Sequence, residues 1–348
     1  MNKLLHLLFI LICFSFKAVS QQDAASLKNI RTIVFWNVDK LYDTNNDPNT
    51  FDDEYLPSGK NQWTDERYKK KISDISATIS SVILDDLPVL IGLAEVENQK
   101  VLDDLVTSQK LKIGKYGSVH FDEKDNDGLE VALLYKKDEV EILASKTVPV
   151  TTTFDIKASF KDILYVKCRL KEDNIYHLFI IHWPSRTMDD QDELKRISAA
   201  IALRKEVDNI LNTDNKARII IMGDFNDEPT NKSLLQMMNA TNKRKNINYR
   251  DLFNMMYDTH NLSDNGTYSE NRKVFMFDQI IVSPELFNKV SGYFLSFVDG
   301  KIFTGVETKT NDSVPVIRYP EPTYNGSKYL GGTSSHFPVL INLNKPVR

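Results

Sequence analysis

Residues 218–229 read RIIIMGDFNDEP, an apolar run that gives way to a group of polar residues. Consecutive apolar residues such as those at 219–222 are typical of a strand that is covered on both faces. Asp224 and Asn226 come where such a strand ends, and polar side chains on loops of a rigid scaffold often form functional sites. An Asp or Asn at a strand end can also be a simple turn or capping residue, so this stretch needs support from elsewhere in the chain.

Five more polar residues hold similar positions along the chain. Asn37, Glu95 and His182 follow apolar runs, Asp278 lies within one, and His336 lies directly before one. A carboxylate buried in an apolar strand, as Asp278 would be, requires a cation, an imidazolium or several donors nearby. The two histidines suit proton transfer. A single Asp, Glu or His more often has a structural role, but together these residues predict a site built at strand ends.

The residue types at these positions indicate which cation they would hold. Asn37, Glu95, Asp224 and Asn226 offer amide and carboxylate oxygens. Such hard ligands suit Mg²⁺, Mn²⁺ or Ca²⁺ rather than zinc. The sequence therefore predicts a magnesium site, with manganese or calcium as alternatives.

Hydrophobic periodicity predicts a layered α/β protein. Strands are predicted at residues 31–38, 89–96, 131–135, 164–170, 176–182, 218–222, 274–282 and 337–343. Apolar residues spaced by three and four predict helices over 65–84 and 189–211. No repeat or Pro/Gly-rich linker divides the chain, so we expect one domain, residues 27–345.

The N-terminus has the pattern of a signal peptide. A basic residue precedes an apolar run over residues 4–16, and small residues follow at 18–20. The alternative is a buried helix, but the run has no polar face. We expect cleavage of residues 1–20 and an exported protein, either periplasmic or secreted. No later run approaches the roughly 18 apolar residues that span a bilayer, so stable membrane insertion is not expected.

Charge and cysteine content limit the classes of protein that remain. Loss of Lys3 and Lys17 from the 44 basic residues leaves 42 against 48 acidic residues. A mildly acidic chain is not built for indiscriminate binding of polyanions, although a local basic cleft is compatible with it. Cys168 would be the one cysteine left, which excludes an intramolecular disulfide and predicts a small buried hydrophobe.

Seven short strings occur in the order found in the endonuclease/exonuclease/phosphatase superfamily, which includes deoxyribonuclease I. They are VFWNV (34–38), GLAEVEN (92–98), VALLY (131–135), IIHWPSR (180–186), IMGDFNDEP (221–229), FDQIIVS (277–283) and SSHFPV (334–339). The chain resembles this superfamily over about 30–343, nearly the whole mature length. The resemblance implies a four-layer α/β/β/α sandwich, in which two mixed sheets pack face to face with helices outside and the site lies at one end.

The resemblance also implies roles for the residues that carry it. Asn37, Glu95 and Asp224 would serve the metal, and Asp224 and Asn226 would bind or orient the phosphate and the attacking water. Arg186 would contribute to phosphate binding. Lys40 and Arg196 lie outside such roles, and we expect both to be solvated.

Proton transfer would fall to the histidines. His336 would be the general base or the transition-state donor, Asp278 would hold its imidazole and raise its pKa, and His182 would contact the phosphate or the leaving group. The superfamily usually has Asp directly before the final His, whereas this chain has Ser335. A hydroxyl without charge predicts weaker metal binding or an altered metal preference.

The sequence therefore predicts an exported, Mg²⁺-dependent phosphoesterase that cleaves its substrate by direct attack of water. Nuclease-like cleavage of phosphodiesters comes first, with nucleic acid as the substrate of a monomeric enzyme. An inositol-phosphate phosphatase or a phospholipid-headgroup phosphodiesterase is the alternative, since fold does not decide substrate. The third possibility is a binding module with weakened catalysis, which the serine at position 335 suggests.

Overall fold

The computed structural model describes residues 30–122, 127–152, 160–171, 173–187, 191–261, 265–270, 273–290, 292–305 and 319–346. The predicted signal peptide, residues 1–20, lies outside them, so its cleavage stays a prediction. Within the described ranges, no helix has the length and apolar character needed to cross a bilayer.

Strands dominate the chain. They are β1 (Ile30–Leu41), β2 (Leu90–Val96), β3 (Tyr116–His120), β4 (Glu130–Lys136), β5 (Val140–Val148), β6 (Ile163–Leu170), β7 (Ile175–His182), β8 (Arg218–Asp224), β9 (Ala240–Thr241), β10 (Leu252–Asn254), β11 (Tyr268–Glu270), β12 (Lys273–Phe275), β13 (Asp278–Val282), β14 (Lys301–Ile302), β15 (Tyr324–Asn325), β16 (Lys328–Tyr329) and β17 (Val339–Asn344). The α-helices are α1 (Asp65–Ser81), α2 (Gln99–Thr107), α3 (Asp192–Thr213) and α4 (Tyr257–His260).

The strands form two large mixed sheets. The first has the order β14-β17-β1-β2-β4-β3, and the second has the order β5-β6-β7-β8-β13-β10-β9. A parallel pair lies at the centre of each sheet: β1 with β2, and β7 with β8. The carboxyl ends of a parallel pair lie at the same edge of a sheet. Each sheet thus brings two strand ends together at its centre.

Alternation of apolar side chains separates the layers. Ile33 and Phe35 of β1 lie in one core between the sheets together with Leu178 and Ile180 of β7. The alternate residues of the first sheet pack against α1 and α2, and those of the second sheet pack against α3. The predicted four-layer sandwich is confirmed. Cys168 is fully buried in the inter-sheet core, and burial raises the pKa of its thiol to about 12.

Two local predictions were wrong. The strand predicted over 274–282 is divided, because β12 pairs with β11 in a small hairpin whereas β13 pairs with β8 in the second sheet. The apolar pattern that predicts a helix over 189–211 includes Leu194 and Ile201, but both are exposed. The apolar part of the buried face of α3 consists of Ala199, Ala200, Leu203, Val207 and Leu211, and a pattern of large apolar residues does not include its two alanines.

Candidate active site

The inter-sheet core ends in a layer of polar residues at one end of the sandwich. In β8, Ile220 and Met222 face this core, so Asp224, two residues further on, faces the same side. His182 and Asp278 are the cross-strand partners of Asp224, one on each neighbouring strand. The register of three adjacent strands therefore puts one carboxylate between an imidazole and a second carboxylate.

Glu95 reaches this layer through a bulge in β2. Leu93 faces the outer helices, and strict alternation would send Glu95 the same way. The pairing of β2 shifts between Ala94 and Val96, and Glu95 adopts a left-handed conformation with φ of 62°. A bulge of this kind re-aims one side chain, and a non-glycine residue in such a conformation costs on the order of 1–3 kcal/mol. The strand is distorted at the residue that the sequence assigns to the metal.

Asn37 connects the two sheets at this point. Its Nδ2 donates to Glu95 Oε1 at 2.9 Å and to Asp224 Oδ2 at 3.0 Å. Its Oδ1 accepts from the backbone N of Asp39 at 2.9 Å, and Asn37 is fully buried. One amide thus holds a carboxylate from each sheet. Two carboxylates this close repel each other unless a cation lies between or beside them.

His336 and Asp278 form a buried pair next to these carboxylates. His336 Nδ1 lies 2.7 Å from Asp278 Oδ2, and His336 Nε2 lies 3.8 Å from Asp224 Oδ2. Burial disfavours the imidazolium, but the negative charges of Asp278 and Asp224 outweigh it and raise the pKa of His336 to about 10. Trp36 Nε1 donates to the backbone oxygen of His336 at 2.9 Å. The imidazole is therefore fixed in orientation and points its free nitrogen at the site.

His182 faces the same carboxylates from the other side. Its Nε2 lies 3.9 Å from Glu95 Oε1 and 3.8 Å from Asp224 Oδ2, too far for hydrogen bonds. Its Nδ1 is buried and has no hydrogen-bond partner among the described residues. This imidazole is therefore held by fewer hydrogen bonds than that of His336.

The sequence profile of the Endonuclease/Exonuclease/phosphatase family matches residues 32–345 of this chain. The chain belongs to this family. The resemblance seen in the sequence is confirmed, and the members of the superfamily are phosphoester hydrolases.

Solved structures share the fold at low sequence identity. An endonuclease/exonuclease/phosphatase from Bacteroides vulgatus aligns with a TM-score of 0.54 and 14% identity, covering 91% of this chain and 99% of that one. The human Nocturnin catalytic domain with bound sulfate gives 0.53 and 15%, with 91% and 95% covered. Danio rerio TDP2 complexed with a single-strand DNA product gives 0.52 and 14%, with 91% and 99% covered. The comparison with curated proteins found no match.

The donor set fits a hard divalent cation of the kind this family uses. In the described part of the chain, one group of three potential ligands has all its ligand atoms within 4.8 Å: Asp224, Asp278 and His336. Asp278 and His336 bind each other. Asp224 instead accepts from the Asn37 amide, which also donates to Glu95. Direct ligation by Asn37 would require its amide to turn over, because its nitrogen faces the two carboxylates. Glu95 and Asp224 share the Asn37 amide, and their role as metal ligands stays a prediction.

Hydrogen bonds from Arg186 fix the loop after β8. Arg186 donates from Nε to Asn226 O at 2.8 Å and from Nη2 to Asp227 Oδ1 at 3.1 Å. Asn226 Nδ2 donates to Trp183 O at 2.9 Å. As placed, Arg186 and Asn226 fix this loop, and their binding of phosphate stays a prediction.

Sequence reasoning missed a buried ion pair under this loop. Arg196 was expected to be solvated, but it is buried and its Nε lies 2.8 Å from Asp227 Oδ1. Asp227 also accepts from Ser233 Oγ at 2.6 Å. Its place within the IMGDFNDEP string could have marked Asp227 as structural support for the site. Nothing in the periodicity of α3 could have marked Arg196.

Ser335 stands where the family usually has Asp, and its neighbour Ser334 contacts the site. Ser334 Oγ donates to Asn37 O at 2.7 Å and accepts from the backbone N of His336 at 3.0 Å. Ser335 itself is half-buried. Ser334 therefore joins β1 to the segment that carries His336. The expected effect of Ser335 on metal binding stays a prediction.

Proposed function

We propose that this member of the family is an exported, divalent-metal-dependent phosphodiesterase that hydrolyses nucleic acid. The observation that carries the proposal is the Asn37 amide, which holds Glu95 and Asp224 together beside the pair formed by His336 and Asp278. Hydrolysis of a phosphodiester needs a cation against the developing negative charge and a positioned imidazole for proton transfer, and these residues offer a place for each.

The residues divide the work of the reaction between them. Mg²⁺ held by Glu95 and Asp224 would supply positive charge against the phosphate as negative charge develops there. His336 accepts the proton of the attacking water at Nε2, while Asp278 holds its Nδ1, fixes the tautomer and the ring, and stabilises the imidazolium that forms. His182 donates to a phosphate oxygen or to the leaving oxygen from the opposite side. Water attacks directly, and no covalent enzyme intermediate is formed.

An aromatic surface beside His336 favours nucleic acid among the possible substrates. The Tyr268 ring lies 4.8 Å from the His336 imidazole and stacks on Phe277 at 5.4 Å. Phe275 also stacks on Phe277 at 5.1 Å and lies 6.4 Å from Tyr268, and both Tyr268 and Phe275 are half-buried. Bases stack on exposed aromatic rings regardless of sequence. The single-strand DNA product bound by the related TDP2 structure adds support for this substrate class.

The proposal is tested with a panel of substrates. Single-stranded DNA, duplex DNA, RNA, inositol phosphates and sphingomyelin are each incubated with Mg²⁺, Mn²⁺, Ca²⁺ or chelator. We expect metal-dependent cleavage of nucleic acid and none with chelator. Preferential turnover of inositol phosphate or lipid would replace the nuclease proposal. Inactivity on every substrate would favour a binding module. N-terminal sequencing of exported protein, expected to begin at Gln21, tests the signal peptide.

Tyr268→Ala is expected to lower kcat/KM on single-stranded DNA by about 10-fold, because loss of one base stack costs about 1–3 kcal/mol. An oligonucleotide with an abasic unit next to the scissile phosphate gives the comparison, since it has no base to stack there. On that substrate the variant should nearly match the wild type. Equal losses on both substrates would show that Tyr268 only supports His336. Tyr249→Ala removes an exposed tyrosine elsewhere and serves as the control.

Ser335→Asp is expected to tighten the apparent affinity for Mg²⁺ and to raise activity at low Mg²⁺, because an added carboxylate strengthens a hard-cation site. The measurement is a metal titration of activity, with thermal melts in Mg²⁺ and in chelator. Ser334→Asp is not a suitable control, because Ser334 bonds to the site. Ser145→Asp, at an exposed serine on the edge strand β5, is used instead. An unchanged Mg²⁺ dependence with a lower Tm would show that position 335 lies outside the metal site.

A further inference from the structure

The last part of β1 has a backbone conformation that favours glycine. The pairing of β1 with β2 shifts between Asn37 and Leu41, and Asp39 and Lys40 both have left-handed conformations, with φ of 55° and 57°. Glycine adopts this conformation without a steric cost, and Asn and Asp tolerate it better than other side chains do. A lysine has no such advantage. Lys40 is therefore strained, and its side chain calls for an explanation.

Contacts of the backbone do not explain the lysine. Asp39 N donates to Asn37 Oδ1 at 2.9 Å, and Lys40 N donates to Glu95 Oε2 at 3.0 Å. The carbonyl oxygen of Asp39 accepts from the ammonium of Lys71, which is buried. These bonds use only backbone atoms of residues 39 and 40. Glycine at position 40 would preserve the bond to Glu95 and remove the strain.

The side chain of Lys40 lies over an aromatic ring and is exposed. Its Nζ is 6.0 Å from the centre of the Tyr55 ring, and Tyr55 stacks on the buried ring of Tyr42 at 4.6 Å. The face of an aromatic ring attracts an ammonium. In the described part of the chain, Lys40 forms no salt bridge with a carboxylate. Its positive charge is thus accessible to a ligand.

Lys115 has the same backbone conformation in a different environment. Its φ is 48°, and it directly precedes β3, at the end of the first sheet opposite Glu95. The ammonium of Lys115 lies 2.8 Å from Asp138 Oδ2. A left-handed conformation alone therefore does not mark a functional lysine. Lys40 differs because it begins beside Glu95 and has no ion pair among the described residues.

We propose that Lys40 binds a phosphate of the substrate strand, next to the phosphate that is cleaved. This role rests on the proposed function. A nucleic acid strand that approaches Glu95 and Asp224 brings negative charge toward negative charge. A cation held by these residues would act on the cleaved phosphate, and Lys40 supplies positive charge to the next one. A lysine ammonium suits phosphate as a point charge with three donors.

The first test compares two substrates of the Mg²⁺-loaded enzyme. Bis-p-nitrophenyl phosphate has a single phosphate, whereas an oligonucleotide has a neighbouring one. Lys40→Gln and Lys40→Gly should each lower kcat/KM on single-stranded DNA by about 10-fold, mainly through KM, because one charged contact with the substrate is lost. The loss on bis-p-nitrophenyl phosphate should be much smaller. Lys40→Gly should keep Tm at or above that of the wild type, because glycine relieves the left-handed conformation.

The second test measures binding without hydrolysis. The affinity for a labelled single-stranded oligonucleotide is measured in chelator over a range of salt concentrations. Each phosphate contact to a single strand contributes about 0.7 to the slope of log affinity against log salt concentration. Lys40→Gln should therefore reduce the slope by about 0.7, and Lys40→Arg should restore it. Tyr268→Ala should weaken binding without changing the slope, because a base stack carries no charge.

Lys115→Gly is the matched control, because Lys115 is the other left-handed lysine of the described residues. It should keep the wild-type kcat/KM, affinity and slope. The proposal is overturned if Lys40→Gln keeps the wild-type KM and slope, if its losses on the two substrates are equal, or if Lys115→Gly causes the same loss. Cleavage of DNA that is insensitive to Lys40 would reject this role alone. A wild type that neither binds nor cleaves DNA would reject the proposed function as well.

Discussion

Glu95→Gln should lower kcat/KM for metal-dependent hydrolysis by at least about 10³-fold. The substitution keeps the length of the side chain and leaves an oxygen for the Asn37 amide, but it removes the negative charge that would hold the cation. Loss of a single charge-stabilising group at a reacting centre typically costs about 10²–10³-fold, and this variant loses charge and cation together. Initial rates over a range of Mg²⁺ concentrations give the measurement.

The control for this variant is Glu141→Gln, an exposed glutamate on β5 at the edge of the second sheet. It should retain full activity. Thermal melts show whether Glu95→Gln remains folded, and it should be at least as stable as the wild type in chelator, because it removes one of two repelling carboxylates. Activity near that of the wild type would contradict the assignment of Glu95 to the metal. A modest loss that excess Mg²⁺ does not change would make Glu95 a structural residue of the bulge.

His336→Ala should lower kcat by at least about 10²-fold, the contribution of a positioned proton-transfer group. Because His336 is not proposed to hold the cation, excess Mg²⁺ should not restore the activity. Asp278→Asn should cause a similar loss, since Asp278 acts through the imidazole that it holds at 2.7 Å. The double variant should be little worse than either single variant.

A double-variant cycle on kcat decides whether these two residues act as a unit. Additive losses would show that Asp278 and His336 contribute separately. His177→Ala provides the control, because His177 lies at the other end of β7 from His182, where its Nδ1 is 2.8 Å from the hydroxyl of Tyr165. Melts of each variant matter here, since removing one member of a buried pair destabilises the fold by leaving the other without its partner.

The sequence could predict the positions of the site residues because strand periodicity carries that information. Once Ile220 and Met222 are known to face the core, the side of the sheet that Asp224 takes follows from alternation. The same reasoning applies to His182 after Ile180. Local pattern alone predicted a layered α/β protein with polar residues at strand ends. The four-layer arrangement with the site at one end was implied by the resemblance to the superfamily.

What could not be predicted depends on pairing between distant segments. The bulge at Glu95 is a shift in the pairing of β2 with β1 and β4, and the local sequence pattern does not predict it. The division of the predicted strand over 274–282 reflects a change of partner, which an unbroken apolar run conceals. Arg196 is buried because Asp227 lies opposite, and a single arginine on a helix gives no sign of that.

The pairing of β1 with β17 has a consequence for how the protein is made. Ile30 pairs with Asn344 and Phe35 with Val339, so the first strand of the first sheet depends on the last. During synthesis on the ribosome, the edge of β1 that pairs with β17 stays unpaired while some three hundred residues are added. His336 directly precedes β17 and arrives with it. A nascent chain that lacks β17 therefore has no assembled site, and the first sheet closes only after this strand has been made.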